Sequence, residues 1–105
     1  MDREILLQLA KKHGSPLYVY DTQKIASQYK RITDAFSSVH QVQINYAVKA
    51  LSNINILKYF KQLGSGLDTV SIQEVQLGLE AGLAPEKIIY TPNGVSLEEI
   101  EVVAE

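Results

Sequence analysis

Two rhythms of apolar and polar residues run along the chain, and the change from one to the other falls near Gln43. Before it the period is helical. Ile5, Leu6 and Leu9 share one side of a helix that Asp2 caps and Gly14 stops. The run LYVY after Pro16 predicts a short strand. Asp21 then caps a second helix in which Ile25, Tyr29, Ile32 and Phe36 recur at helical spacing, predicting one buried stripe.

From Gln43 onward, strands alternate with helices. QINYAVKA predicts a strand apolar on both faces, and NINILKYFKQLG a helix with Ile56, Leu57, Phe60 and Leu63 inward and Gly64 at its end. LDTVS is a second strand. It leads into the helix IQEVQLGLEAG, opened by Ser71 with Glu74 three residues on, a capping box, and closed by Gly82. KIIYT is a third strand, followed by the turn PNGV and a helix opened by Ser96 with Glu99 in the same spacing. A strand-helix unit therefore occurs three times, beginning near Gln43, Leu67 and Lys87, and this predicts parallel strands covered on both faces. The fold class is α/β, either a doubly wound sheet or part of a (β/α)8 barrel. A whole barrel takes about 250 residues. The chain has 105 and stops inside the amphipathic run EEIEVVAE, which predicts a fragment of a longer protein. On this reading residues 1–42 lead into a barrel whose first βα units occupy 43–105.

Composition narrows the function classes. A hydrophobic share of 46% with 21% charged residues is that of a globular protein, and a net charge of -2 without blocks of one sign offers no basic face to nucleic acid. With no Cys there is no disulfide framework, thiolate metal site or Cys nucleophile in these residues, which fits the cytosol. The start MDREILLQLAKKHG lacks the basic and apolar segments of a signal peptide, so the expectation is a soluble, unexported protein. His13 and His40 have no metal-like spacing to each other or to carboxylates and read as surface histidines; no metal site is expected. GSG at 64–66 precedes a strand and lacks the helix N-terminus of a phosphate loop, so it reads as a helix stop and turn. The six tyrosines read as packing groups with polar tips.

One cation stands out. In INYAVKA, alternation puts Asn45, Ala47 and Lys49 on one face and Ile44, Tyr46 and Val48 on the other, with Lys49 near the strand's C-terminal end, where parallel βα architectures assemble their sites. Lys49 is then either a lysine that snorkels to solvent or a Schiff-base amine kept reactive by partial burial. Asp68, in the next strand, is either a satisfied structural carboxylate or a group facing the same cavity. Ser71 is explained by its cap, and Asn93 and Gly94 by a turn, yet Ser71 and Asn93 also fall where a site rim lies.

The run from Ile44 to Gly82, INYAVKALSNINILKYFKQLGSGLDTVSIQEVQLGLEAG, resembles the N-terminal barrel region of the pyridoxal-phosphate-dependent decarboxylases built like alanine racemase. YAVKA is matched, then Gly-x-Asp-x-x-Ser, then a Glu-containing helix ending in Ala-Gly. LYVYD in front and IIYTPNGVS behind extend the similarity to nearly all the chain from Pro16. Within that family it is most similar to the branch that converts meso-diaminopimelate to L-lysine and carbon dioxide. The resemblance implies pyridoxal 5'-phosphate held on Lys49 as an internal aldimine, with Asp68 and Ala47 beside the cofactor. It also implies an amino-acid substrate and a homodimer with active sites between subunits. TPNGVS differs from the Gly-Asn-Asn-Lys-Ser ending of many members, and KALSNINI lacks the continuation usual in alanine racemases. Decarboxylases of the same fold acting on ornithine, arginine or carboxynorspermidine are the near alternatives. A non-catalytic carrier or regulatory homologue is the alternative of another class. The 105-residue chain alone is expected to be inactive.

Overall fold

The computed structural model describes all residues, 1–105, and divides into two compact units, Met1–Asp34 and Ala35–Glu105. The first unit is helical. In α1 (Arg3–His13) Asp2 Oδ1 accepts the Glu4 amide at 3.2 Å, and Lys11, Lys12 and His13 sit at the negative end of the helix dipole. In α2 (Thr22–Ala35) Asp21 Oδ1 accepts the Lys24 amide at 3.0 Å, and this hydrogen bond lowers the Asp21 pKa. The expected strand LYVY does not form: residues 17–20 have no ladder partner, and strand propensity without a partner leaves the backbone unpaired. The expected buried stripe is also incomplete. Ile25 and Tyr29 are half-buried, but Ile32 and Phe36 are exposed, and Phe36 lies beyond the helix end. Neither helix buries a residue fully, because two helices give each side chain fewer neighbours than a core position needs.

The second unit is a three-stranded parallel sheet, β1 (Asn45–Ala47), β2 (Gly66–Thr69) and β3 (Ile88–Tyr90), in the order β1-β2-β3. The helices α3 (Ile54–Gln62), α4 (Ile72–Glu80) and α5 (Leu97–Ala104) follow the strands in turn, as the βα repeat predicts. Local signals start and stop them. Asn53, Ser71 and Ser96 are the N-caps, and Gly64, at φ 90°, takes the left-handed turn between α3 and β2. The two capping boxes close only halfway. Ser71 and Ser96 accept the amides of Glu74 and Glu99, but Glu74 reaches the Val70 amide at 2.7 Å rather than the cap residue, and Glu99 accepts the Tyr90 phenol at 2.8 Å. That phenol bond ties α5 to β3. No helix is long and apolar enough to cross a membrane.

The core lies between the sheet and α3 and α4. Val48, Leu57 and Leu67 are fully buried, Ala81 and Leu83 nearly so, with Tyr46, Ile54, Leu77 and Ile88 packed around them. Each fully buried aliphatic side chain contributes about 1.5–3 kcal/mol by leaving water. The other face of the sheet is not apolar throughout. There the Gln43 side chain donates to Asn45 Oδ1 at 2.8 Å and accepts from Lys87 Nζ at 3.1 Å, linking β1 to the turn that enters β3. Gly66 leaves room for this bridge. A Cβ at that position would lie 2.5 Å from Gln43 Nε2 and 2.7 Å from the Lys87 carbonyl oxygen, and the second contact is backbone. Gly66→Ala is therefore expected to cost about 1–3 kcal/mol, measured as a fall in the midpoint of chemical denaturation.

Tyr90 gives a pH-dependent expectation. Partial burial, then the Glu99 carboxylate, raise its pKa above the ordinary value. The folded state thus favours the neutral phenol: its contribution is complete below the ordinary tyrosine pKa and is lost as pH rises through the raised one. Tyr90→Phe should flatten the alkaline limb of stability against pH, and an unchanged limb would show that another group titrates there.

Candidate functional site

Parallel register sets one end of the site. Ala47, Asp68 and Ile89 are direct partners across β1, β2 and β3, and they lie at or next to the C-terminal ends of the strands. Asp68 alternates with Leu67 and Thr69, so its carboxylate stands on the face opposite the core. It is half-buried, and Oδ1 accepts the Thr91 hydroxyl at 2.5 Å. Thr91 is itself fixed, since its amide continues the β2–β3 ladder by donating to the Thr69 carbonyl at 2.8 Å.

Lys49 is not on the strand, contrary to the face argument from alternation. β1 ends at Ala47, and Val48–Ala50 form a single 3-10 turn closed by the Leu51 amide on the Val48 carbonyl at 3.0 Å. The physical reason is Val48, whose side chain enters the core as the chain turns, leaving the next residue outward. Lys49 is therefore exposed rather than partly buried, just past the C-terminal end of β1, and no hydrogen bond or ion pair engages its amine. Its turn is held from beneath. The Tyr46 ring stacks on Phe60 with centroids 3.9 Å apart and planes 15° apart, while its hydroxyl donates to the Leu51 carbonyl at 3.1 Å.

The other expected positions separate. Ser71 is the N-cap of α4, its Oγ accepting the Glu74 amide at 3.3 Å, and Asn93 is exposed in the loop after β3. GSG is the predicted stop and turn: Ser65 is buried, and its hydroxyl proton has two acceptors within reach, the Gly66 carbonyl at 2.8 Å and the Ile44 carbonyl at 3.1 Å. His13 and His40 are exposed, and no group of three His, Asp or Glu residues is placed to hold a metal ion. The hydrogen bonds from Thr91 to Asp68 and from Tyr46 to Leu51 are contacts that periodicity does not reveal. The only hint of Thr91 is register: it stands two residues beyond Ile89 and so returns to the face of Asp68.

The donor set has a definite chemistry. An accessible primary amine with no partner can add to an aldehyde carbon, and a nearby strand end presents a fixed carboxylate that suits a cationic or proton-bearing group. An aldehyde-bearing cofactor fits these residues.

Comparisons with known proteins agree. Residues 22–105 match the family model described as pyridoxal-dependent decarboxylase, pyridoxal binding domain. The diaminopimelate decarboxylase of Methanothermobacter thermautotrophicus is 38% identical over 96 residues, which is 90% of this chain and 22% of that protein. The crystal structure of diaminopimelate decarboxylase from Helicobacter pylori complexed with L-lysine superposes with a TM-score of 0.84 at 39% identity, covering 98% of this chain and 25% of that one. A lysine/ornithine decarboxylase from Vibrio vulnificus complexed with putrescine has a TM-score of 0.86 at 22% identity, over 96% of this chain and 27% of that one, a likeness of fold. The 105 residues span between about a fifth and about a quarter of the length of these relatives.

Proposed function

The chain belongs to the pyridoxal-dependent decarboxylases, within their pyridoxal binding domain, and from that membership we propose that the full-length protein decarboxylates meso-diaminopimelate to L-lysine and carbon dioxide. The observation that carries the choice of substrate is 38% identity, over 90% of this chain, to a diaminopimelate decarboxylase. Residues 43–105 are then the first βα units of the cofactor-binding barrel, with residues 1–42 leading into it. Lys49 holds the cofactor's aldehyde carbon through its amine. Asp68 and Ala47 line the cofactor on adjacent strand ends, with Ser71 and Asn93 at the rim. Pyridoxal phosphate, when bound, supplies an electron sink for the pair of electrons left as carbon dioxide departs. The sheet face around Asp68 orients that group, and the turn at Val48–Ala50 presents the amine to it. The absence of Cys from these residues fits a reducing cytoplasm, and the family resemblance supports a homodimer.

The test is carbon dioxide release by the full-length protein, purified with pyridoxal phosphate, from meso-diaminopimelate and from ornithine. Release from diaminopimelate alone is expected. Release from ornithine alone would replace the substrate and keep the reaction class, and cofactor binding with no release from either would make the protein a carrier or regulator.

A further inference from the structure

Asp68 does not take up its orientation unaided. Its Oδ1 accepts a hydroxyl from Thr91 on the neighbouring strand, and the carboxylate's other oxygen carries no hydrogen bond. Thr91 has one hydroxyl proton and two acceptors within reach, Asp68 Oδ1 at 2.5 Å and the Thr69 carbonyl at 3.4 Å. The shorter, charge-assisted bond takes the proton. Two further features make Thr91 a rigid donor: its amide is held in the ladder, and its β-branched side chain has restricted χ1 freedom. We propose that Thr91 is a positioning residue of the cofactor site, fixing the Asp68 carboxylate with one oxygen engaged and the other available to the group carried by Lys49. The inference rests on the cofactor-binding reading above. It assigns a task to the first residue after β3, in the stretch where this chain departs from the commoner family ending.

The experiment uses the full-length protein loaded with pyridoxal phosphate and reads the pH titration of the cofactor's visible absorbance band together with cofactor affinity. Thr91→Val removes the hydroxyl at nearly constant volume. It is expected to shift the titration midpoint by about one pH unit, the scale of one hydrogen bond to a charged group, and to weaken cofactor binding about tenfold. Thr91→Ser restores both. In an Asp68→Ala background, which removes the acceptor, Thr91→Val should shift the midpoint no further, because the threonine acts through the carboxylate. A wild-type midpoint and affinity in Thr91→Val overturn the proposal while a Lys49-dependent band upholds the cofactor reading. An equal shift with and without Asp68 also overturns it, by showing that Thr91 acts only on the fold. Should Thr91→Val not fold, Thr91→Ala carries the same comparison. A wild-type protein whose band does not depend on Lys49 overturns the cofactor reading and this proposal together.

Discussion

Replacing Lys49 with alanine should abolish the visible absorbance of bound pyridoxal phosphate and lower turnover by about 10²–10⁴-fold, the range a single proton-handling side chain supplies, or more where a covalent link is lost. The fold should survive this change. Lys49 is exposed, contributes no hydrogen bond or ion pair, and lies in a turn of which only Val48 is buried. An unchanged denaturation midpoint beside a lost band is thus the expected pair of results. Lys49→Arg sharpens the test, since it keeps a cation but removes the nucleophilic amine. A band that persists in either variant would move the cofactor's attachment to another residue.

The second large effect lies in the core. Leu67 is fully buried in β2 and packs within the cluster of Val48, Leu57, Ala81 and Leu83, so Leu67→Ala should cost about 2–5 kcal/mol, seen as a lower denaturation midpoint. Gly78 of α4 allows a stricter test. A Cβ there would stand 2.9 Å from Leu67 Cδ1 and 3.0 Å from Ile88 Cδ1, so Gly78→Ala alone crowds the contact between α4 and the sheet. Joined to Leu67→Ala, the same methyl enters space the leucine has vacated and adds up to about 1 kcal/mol of helix propensity. The double variant should be more stable than Leu67→Ala alone. Strict additivity of the two losses would mean that α4 and β2 do not pack as described.

Features set by a few consecutive residues were legible in the sequence. Asp2, Asp21, Ser71 and Ser96 begin their helices because a short polar side chain reaches an amide two or three residues on, whatever the rest of the fold does. The βα repeat was legible for a related reason, as Leu67 and Ile88 fall on apolar runs separated by helical ones. Strand ends were not. LYVY has the composition of a strand and no partner, and QINYAVKA contains only three ladder residues because Val48 turns into the core. The same limit hid the bond from Thr91 to Asp68, which spans 23 residues and depends on register, and the second halves of both capping boxes, where Glu74 and Glu99 find better partners than their own cap residues. The family resemblance singles out Lys49 and Asp68 as candidates, but does not show that one is exposed on a turn and the other held by a threonine.

The clamp beneath Lys49 has an entropic consequence. Val48 is locked in the core, Leu51 is tied at both its amide and its carbonyl, and Tyr46 is sandwiched on Phe60, so the peptide on either side of Lys49 has little freedom left to lose. Attaching a group to this amine then freezes one side chain, at a cost of up to about 2 kcal/mol, without ordering any backbone. A lysine on a floppy loop would add about 1–2 kcal/mol for each residue brought to order. The ring of Tyr46 thus lowers the disorder that binding must remove, and it does so without touching the amine.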